Sequence, residues 1–441
     1  MAEKNRPEFP ASTLPDVPAD QKLLGIYDQR QEGFLLQRIR VPGGRLTPAQ
    51  WLAVADAAEK VGARDALHLT TRQCLEIHGL TAEKIPALQS LLADAGLSTL
   101  GAAGDTLRTI TVDPEAGLVP GTWDLMPLAE AIAAAVEAIP GIWGLPRKLK
   151  VSLSGSTAAR MRPWMNDLGF IAAEDGTLTA IVAGSLGPTP ATGVHFAEHL
   201  TGVEAVALAV AAVRLHVAEG DRENRRTARL RHVRERMGDD AFRERLSVFF
   251  AEERAAERPA VAPFDAVSLA DRLTHVRLGV PYGDLPLEAL RALVERVVLA
   301  GGQLRIGLEH DLHVFGLEVE SLPEVVRPWA TSGRLVSCPG TDLCPKAATP
   351  THGAADALAP IAERNPDVLF AISGCPNSCS HATVAGIGLI GRMKRVGDER
   401  VPHYVIHTGG DGGAGPTLAL PASEPVPVTR LAEKVRALLG E

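Results

Sequence analysis

The sequence has no excess of basic residues, no long apolar run, few cysteines and few aromatic side chains. Lysine and arginine total 45 against 53 aspartates and glutamates, a net charge of -8. That balance excludes broad adhesion to nucleic acid or to an anionic membrane, while leaving room for a local basic pocket. No uninterrupted run of about 18 apolar residues occurs, so no membrane-spanning helix is expected. The first 22 residues are polar and proline-rich without the apolar stretch of a secretion signal, and the cytoplasm is the expected address. Five cysteines in 441 residues are too few for a disulfide framework. Glycine (42) and proline (32) are numerous but dispersed, which excludes a low-complexity chain.

What is present begins with length. A chain of 441 residues exceeds one ordinary core, so it holds two or three domains or one duplicated unit. Duplication is visible. Val41-Pro42-Gly43-Gly44-Arg45-Leu46 leads through a helical stretch, Ala49 to Val61, into an alternating strand from Leu67 to Leu80. Val280-Pro281-Tyr282-Gly283-Asp284-Leu285 leads through Leu287 to Leu299 into Leu304 to Leu317 in the same way. Val41 to Val280 is an offset of 239 and Leu67 to Leu304 one of 237, so the copies differ by a two-residue deletion.

Each copy precedes a longer α/β segment. The first has strands at Arg108 to Val112 and Leu145 to Leu153, a helix over Pro127 to Ala138, and a long helix from about Ala205 with an Arg-rich second half. The second has strands at Val368 to Ile372, Val384 to Gly391 and His403 to Thr408, then a helix from Val428 to Leu439. The expected architecture is α+β with a pseudo-twofold axis. Its parts are an N-terminal extension (1–23), a first half-domain (24–100), a first α/β domain (101–250), a connector (251–265), a second half-domain (266–330) and a second α/β domain (331–441). Such an axis builds a cleft between halves, where cofactors commonly sit.

Four of the five cysteines fall within 42 residues. Cys338 and Cys344 have five residues between them, Cys375 and Cys379 three. Thiolates suit zinc or an iron-sulfur cluster. Structural zinc sites made of cysteine usually use two-residue spacings, which neither pair has, so a cluster held by all four is the expectation. Cys74, alone, reads as a packed small residue.

In Leu145-Pro146-Arg147-Lys148-Leu149-Lys150-Val151-Ser152-Leu153, a period of two puts Lys148 and Lys150 on one face, opposite the apolar positions. Two ammonium groups on one face call for solvent or for an anion. By the same period Thr70, Arg72, Glu76 and His78 share the face opposite Leu67, Leu69, Leu75 and Ile77. Arg38 and Arg40 flank Ile39. The seven arginines between Arg222 and Arg236 read as a solvated helical face, with a carboxylate-binding surface as the alternative.

These residues together resemble the siroheme-dependent sulfite and nitrite reductase family, from about Leu24 to the end of the chain. The resemblance is carried by Thr70-Thr71-Arg72-Gln73, Leu145 to Lys150, Asn166-Asp167-Leu168-Gly169-Phe170, Arg222 to Leu230, the two cysteine pairs and Gly374-Cys375-Pro376-Asn377-Ser378-Cys379. It implies two ferredoxin-like half-domains and two larger sulfite-reductase-type α/β domains. It further implies a four-iron four-sulfur cluster on Cys338, Cys344, Cys375 and Cys379, with Cys379 bridging to siroheme. Arg38, Arg108, Lys148 and Lys150 match the positions around the substrate. Arg72, Gln73, His78, Asn377 and Cys379 are then the cofactor contacts. The implied activity is six-electron reduction of sulfite or nitrite. With no flavin or nicotinamide fingerprint in the chain, the electrons would come from an external ferredoxin or flavoprotein. Glu76, Thr109, His381 and Gly386 depart from the family pattern. The competing readings are an iron-sulfur oxygenase of cobalamin synthesis similar to precorrin-3B synthase, a non-catalytic electron carrier, and a zinc-stabilised module.

Overall fold

The computed structural model describes residues 20–265 and 273–441, so most of the expected N-terminal extension lies outside the described residues. The first unit contains β1 (Ile26–Asp28), β2 (Leu35–Ile39), α1 (Pro48–Lys60), β3 (Ala66–Leu69), β4 (Leu75–Leu80) and α2 (Ile85–Asp94). Helix α1 starts where it does because Thr47 and Gln50 cap it reciprocally, with Pro48 in the first turn. The single strand expected over Leu67 to Leu80 is instead a hairpin, β3 against β4, with Leu67 opposite Ile77 and Leu69 opposite Leu75. Gln73 turns the chain at φ 56°. Thr70 and Arg72 therefore sit on the turn, while Glu76 and His78 stay on the strand.

The second unit contains β5 (Thr111–Val112), α3 (Met126–Glu137), β6 (Val151–Ser154), β7 (Leu168–Ala172), β8 (Leu178–Val182), β9 (Val194–Leu200), α4 (Gly202–Glu219), α5 (Leu230–Met237) and α6 (Asp239–Ala255). Its sheet runs β5-β6-β7-β8-β9, parallel at first and antiparallel from β7 onward. The strand expected from Leu145 is regular only over β6; Leu149 before it forms an isolated bridge to Leu107. The arginine-rich stretch is not the second half of one helix. Helix α4 ends at Glu219, an irregular segment follows, and α5 carries only the later arginines. Nor is the stretch uniformly solvated, since Arg229 and Arg231 are buried. Residues expected to begin the connector, 251–255, instead complete α6.

The third unit repeats the first with β10 (His275–Gly279), β11 (Asp284–Pro286), α7 (Leu287–Leu299), β12 (Gln303–Ile306) and β13 (Asp311–Phe315). Again a hairpin replaces the expected single strand, with His310 at φ 53° in the place of Gln73. The fourth unit contains β14 (Leu335–Ser337), α8 (Gly340–Leu343), α9 (His352–Arg364), β15 (Phe370–Ser373), β16 (Ile387–Val396), β17 (Glu399–Thr408), β18 (Leu420–Pro421), β19 (Val426–Pro427) and α10 (Leu431–Leu439). Its order β14-β15-β16-β17-β18 copies that of the second unit.

The two half-domains are joined through their edges. β11 adds to the first sheet beside β3, with Leu285 opposite Leu67, and Arg45 bridges back to Arg305 on β12. Their apolar residues form one continuous core, from Ile26 and Trp51 of the first to Leu290 and Val314 of the second. The second unit has its own core around Phe170 and Leu208. The fourth has one around Phe370 and Tyr404. Polar loops at the carboxyl ends of the parallel strands are thereby turned toward the middle of the molecule, where open α/β sheets bind ligands.

Candidate cofactor and anion site

The four cysteines lie on the loops that leave β14 and β15. Cys338 follows β14 directly, and its N–H still bonds the carbonyl of Ile372 at 3.0 Å. Short helix α8 then carries the chain to Cys344, whose N–H bonds Gly340 at 2.9 Å. Cys375 and Cys379 follow β15 through Gly374, whose N–H donates to Cys338 Sγ at 3.2 Å. All four are free thiols. Burial, with Cys379 and Cys375 nearby, pushes the Cys338 thiol up to about 12, against the bonds from Gly374 and Gly340. Cys375 is raised by burial and by Cys379 and Cys344. Thiols raised in this way need a cationic centre to be held as thiolates.

Among the described residues no three of these sulfurs lie within 4.8 Å of one another. Tetrahedral zinc with bonds of about 2.3 Å would hold its sulfurs roughly 3.8 Å apart. The wider spread fits a multi-iron cluster. Cys379 is the exposed member, opening to the cleft. Desolvation by the surrounding cleft raises its thiol, and Lys148, Lys150 and Arg38 act in the opposite direction. Thr71 on the first hairpin turn donates to the Cys379 carbonyl at 2.8 Å, tying the two halves together at this point.

Lys148 and Lys150 flank buried Leu149, as the period of two required. Burial, then Arg108, Lys150 and Arg229, hold the Lys148 ammonium well below the usual lysine range. Burial, then Arg72 and Arg229, do the same to Lys150, with Asp167 in partial compensation. The nearby carboxylates are committed elsewhere, Asp105 to Arg147 at 2.6 Å and Asp167 to Arg229 at 2.8 Å. Two half-buried cations with no paired carboxylate among the described residues form a socket for an anion.

The remaining expected residues divide. Arg108 is buried, gives Nε to Gly104 O at 3.0 Å, and bonds the Tyr27 hydroxyl. Arg38 sits on β2 opposite Glu76, and its Nη2 is 2.6 Å from the Glu76 carboxylate. Arg72 reaches Asn166 Oδ1 at 3.0 Å and the Thr109 carbonyl at 2.7 Å, so two of its nitrogens are spent on protein. His78 is buried; its Nε2 meets Glu76 at 3.0 Å while Nδ1 has no partner. Asn377 bonds Cys375 through backbone and side chain. Gln73 corrects its expectation. It is fully buried, donates Nε2 to Val112 O at 2.8 Å and Ile306 O at 2.7 Å, and accepts from Val112 N at 2.9 Å. That side chain is a clamp between units with nothing left for a cofactor.

The departure at Glu76 has a physical resolution. A buried carboxylate here would be costly alone, but Arg38 and His78, against burial, hold its pKa far below the carboxylate range. His381 stands at φ 68° against Arg162, which also bonds Glu309 at 2.7 Å. Several residues escaped sequence reasoning. Tyr27 lies under the Arg38 guanidinium at 5.1 Å; despite burial, Arg108 and Arg38 lower its pKa. Alternation across Ile26-Tyr27-Asp28 was the available signal. Asp167 accepts the Lys150 backbone N–H at 2.8 Å and, with Arg229, sets that lysine in place.

A fold with two half-domains clasped between two copied α/β units, four thiols at one cleft and unpaired cations beside them defines a class, and the chain belongs to it: the nitrite and sulfite reductase family. The model described as "Nitrite/Sulfite reductase ferredoxin-like half domain" matches residues 27–95. That described as "Nitrite and sulphite reductase 4Fe-4S domain" matches residues 103–253. Among similar proteins, a ferredoxin–nitrite reductase of Synechococcus elongatus is 29% identical, the match covering 95% of this chain and 88% of that one. The β-component of an NADPH sulfite reductase hemoprotein from Vibrio atlanticus is 26% identical over 92% of this chain and 80% of that one. The solved structure of the NirA protein of Mycobacterium tuberculosis shares the fold, with a TM-score of 0.81, 24% identity, and coverage of 95% and 86%.

The cofactors of this family are a four-iron four-sulfur cluster and siroheme. The residues present fit both. Four free thiols on adjoining loops receive the one, and a cation-lined cleft with an orphaned His78 Nδ1 suits the carboxylates of the other.

Proposed function

We propose that this chain reduces nitrite or sulfite by six electrons, delivered singly by an external donor, a ferredoxin or a flavoprotein. Cys338, Cys344, Cys375 and Cys379 would hold the iron-sulfur cluster; Cys379, open to the cleft, would face siroheme. When bound, these groups would relay the donor's electrons and supply the metal centre for the reduction. The protein's own part is electrostatic and protic. Lys148, Lys150 and Arg108 draw in a small oxyanion, and each departing oxygen needs two protons to leave as water. A lysine whose pKa is depressed can give up such a proton and regain it. Arg38, partly neutralised by Glu76, contributes field at the rim. Arg72, pinned by Asn166, would present its remaining edge to siroheme carboxylates, with His78 and Asn377 nearby.

The observation that carries this reading is the lysine pair, half-buried beside Cys379 with no ion-paired carboxylate of its own among the described residues. The test is a visible spectrum of purified protein with steady-state assays on both anions, using reduced ferredoxin as donor. Siroheme bands and turnover of at least one anion are expected. Lys148→Ala and Lys150→Ala should each lower kcat at least a hundredfold at unchanged siroheme content. Parallel loss of siroheme and turnover would reassign the lysines to cofactor binding, and no turnover of either anion by the full-cofactor protein would end the proposal.

A further inference from the structure

The pseudo-twofold axis that makes one cofactor cleft makes a second place like it. Asp113 stands in the register position of Cys338, since its N–H bonds Leu153 O at 3.0 Å as that of Cys338 bonds Ile372 O at 3.0 Å. On the facing wall the pair Arg277 and His313 repeats the pair Arg38 and Glu76. Here the imidazoles of His275 and His313 and the carboxylate of Glu115 each offer a ligand atom, all within 4.8 Å of one another. His275 Nε2 is 2.9 Å from His313 Nδ1, and His275 Nδ1 is 4.0 Å from the Glu115 carboxylate.

A second observation points to a ligand. Asp113 is 1% exposed, yet its Oδ2 has no hydrogen-bond partner. Glu115 and His313 both lie close enough to act on its charge. Behind His313, Asp311 Oδ2 lies 3.4 Å from Nε2 and orients the ring so that Nδ1 faces the cluster, as carboxylates do behind metal-bound histidines. His275 stacks on Phe315 at 4.6 Å, which fixes its ring beside His313.

We propose that Glu115, His275 and His313, completed by Asp113, bind a divalent cation of the zinc class, joining the first α/β unit to the second half-domain. Mixed imidazole and carboxylate donors select zinc over calcium or magnesium, which prefer oxygen throughout. Donors about 2 Å from a tetrahedral ion stand roughly 3.3 Å apart, so binding draws the farthest donors inward by about an ångström. Arg160 is the competitor. It pairs with Glu115 through Oε2, but its side chain is 54% exposed and can leave for solvent.

The site is independent of the reductase reading, and either can fail alone. The test uses holoprotein of full iron content, washed with EDTA and titrated with zinc chloride by calorimetry at pH 7.5. One zinc per chain is expected, bound at least tenfold more weakly by Glu115→Gln and by the double variant His275→Phe/His313→Phe, at unchanged iron content. Arg160→Gln should bind severalfold more tightly. Zinc held on the cysteines would survive all these substitutions, and that result overturns the proposal. So does the absence of stoichiometric uptake by the unaltered protein, whatever the folding of the variants.

Discussion

Glu76 shows how one side chain tunes the cleft and the stability of the strand that bears it. Its carboxylate lies between Arg38 at 2.6 Å and His78 at 3.0 Å, and these partners hold its pKa far below an unfolded value of about 4.3. A depressed carboxylate stabilises the fold above the unfolded pKa, and that stability is lost as pH falls toward the lowered value. Glu76→Gln should therefore lower stability at pH 7 by roughly 1–3 kcal/mol and flatten its acid dependence below about pH 4.5. The same change leaves Arg38 with a full charge toward the cleft, so KM for the oxyanion should fall severalfold. Urea unfolding across pH and steady-state kinetics check the two halves; a KM that rises would mean Arg38 does not face the anion. The resemblance marked Glu76 as a departure, but no sequence pattern told that Arg38 opposite it was the remedy. Gln73 was illegible for a related reason: one of its partners, Ile306, is 233 positions away.

At the scale of elements, periodicity located the faces better than the boundaries. Helix α7 was expected over Leu287 to Leu299 and lies there, because an amphipathic run of apolar positions fixes both its type and its ends. Thr70-Thr71-Arg72-Gln73 and Gly307-Leu308-Glu309-His310 place Gln73 and His310, not glycine, at positive φ, so the two hairpins carry no turn signal that separates them from single strands. Lys148 and Lys150 were still assigned to one face, since extended backbone alternates whether or not it is paired. The glycines under the two copied loops carry the next prediction. A Cβ on Gly388 of β16 would lie 1.9 Å from Ala382 O, and one on Gly169 of β7 2.4 Å from Pro163 Cβ. Gly388→Ala and Gly169→Ala should each cost about 1–3 kcal/mol by overpacking. Only Gly388→Ala should also lose iron, because Ala382 belongs to the turn that runs on from Cys379 through His381. Thermal midpoints and iron per chain separate the effects; equal iron loss in both would detach the cluster from that loop.

For the whole molecule, the duplication matters because neither half is complete without the other. The cations of the site come from the first half of the chain and all four proposed cluster cysteines from the second, with Thr71 reaching the Cys379 carbonyl across the join. The halves share one apolar core, exchange strand edges through β11 and Arg45, and pair Arg291 with Asp56 at 2.6 Å. Against this, the covalent link leaves α6 at Ala255 and runs irregularly through 257–265, mostly exposed. Burial of a continuous core far outweighs the entropy lost when two fragments stay together. A protease site engineered into 259–262 should therefore be cut cleanly, and the two fragments should co-elute on gel filtration with the visible spectrum intact and turnover within about twofold of the uncut protein. Fragments that separate on dilution would show that the connector, not the shared core, holds the two sides of the cleft in register.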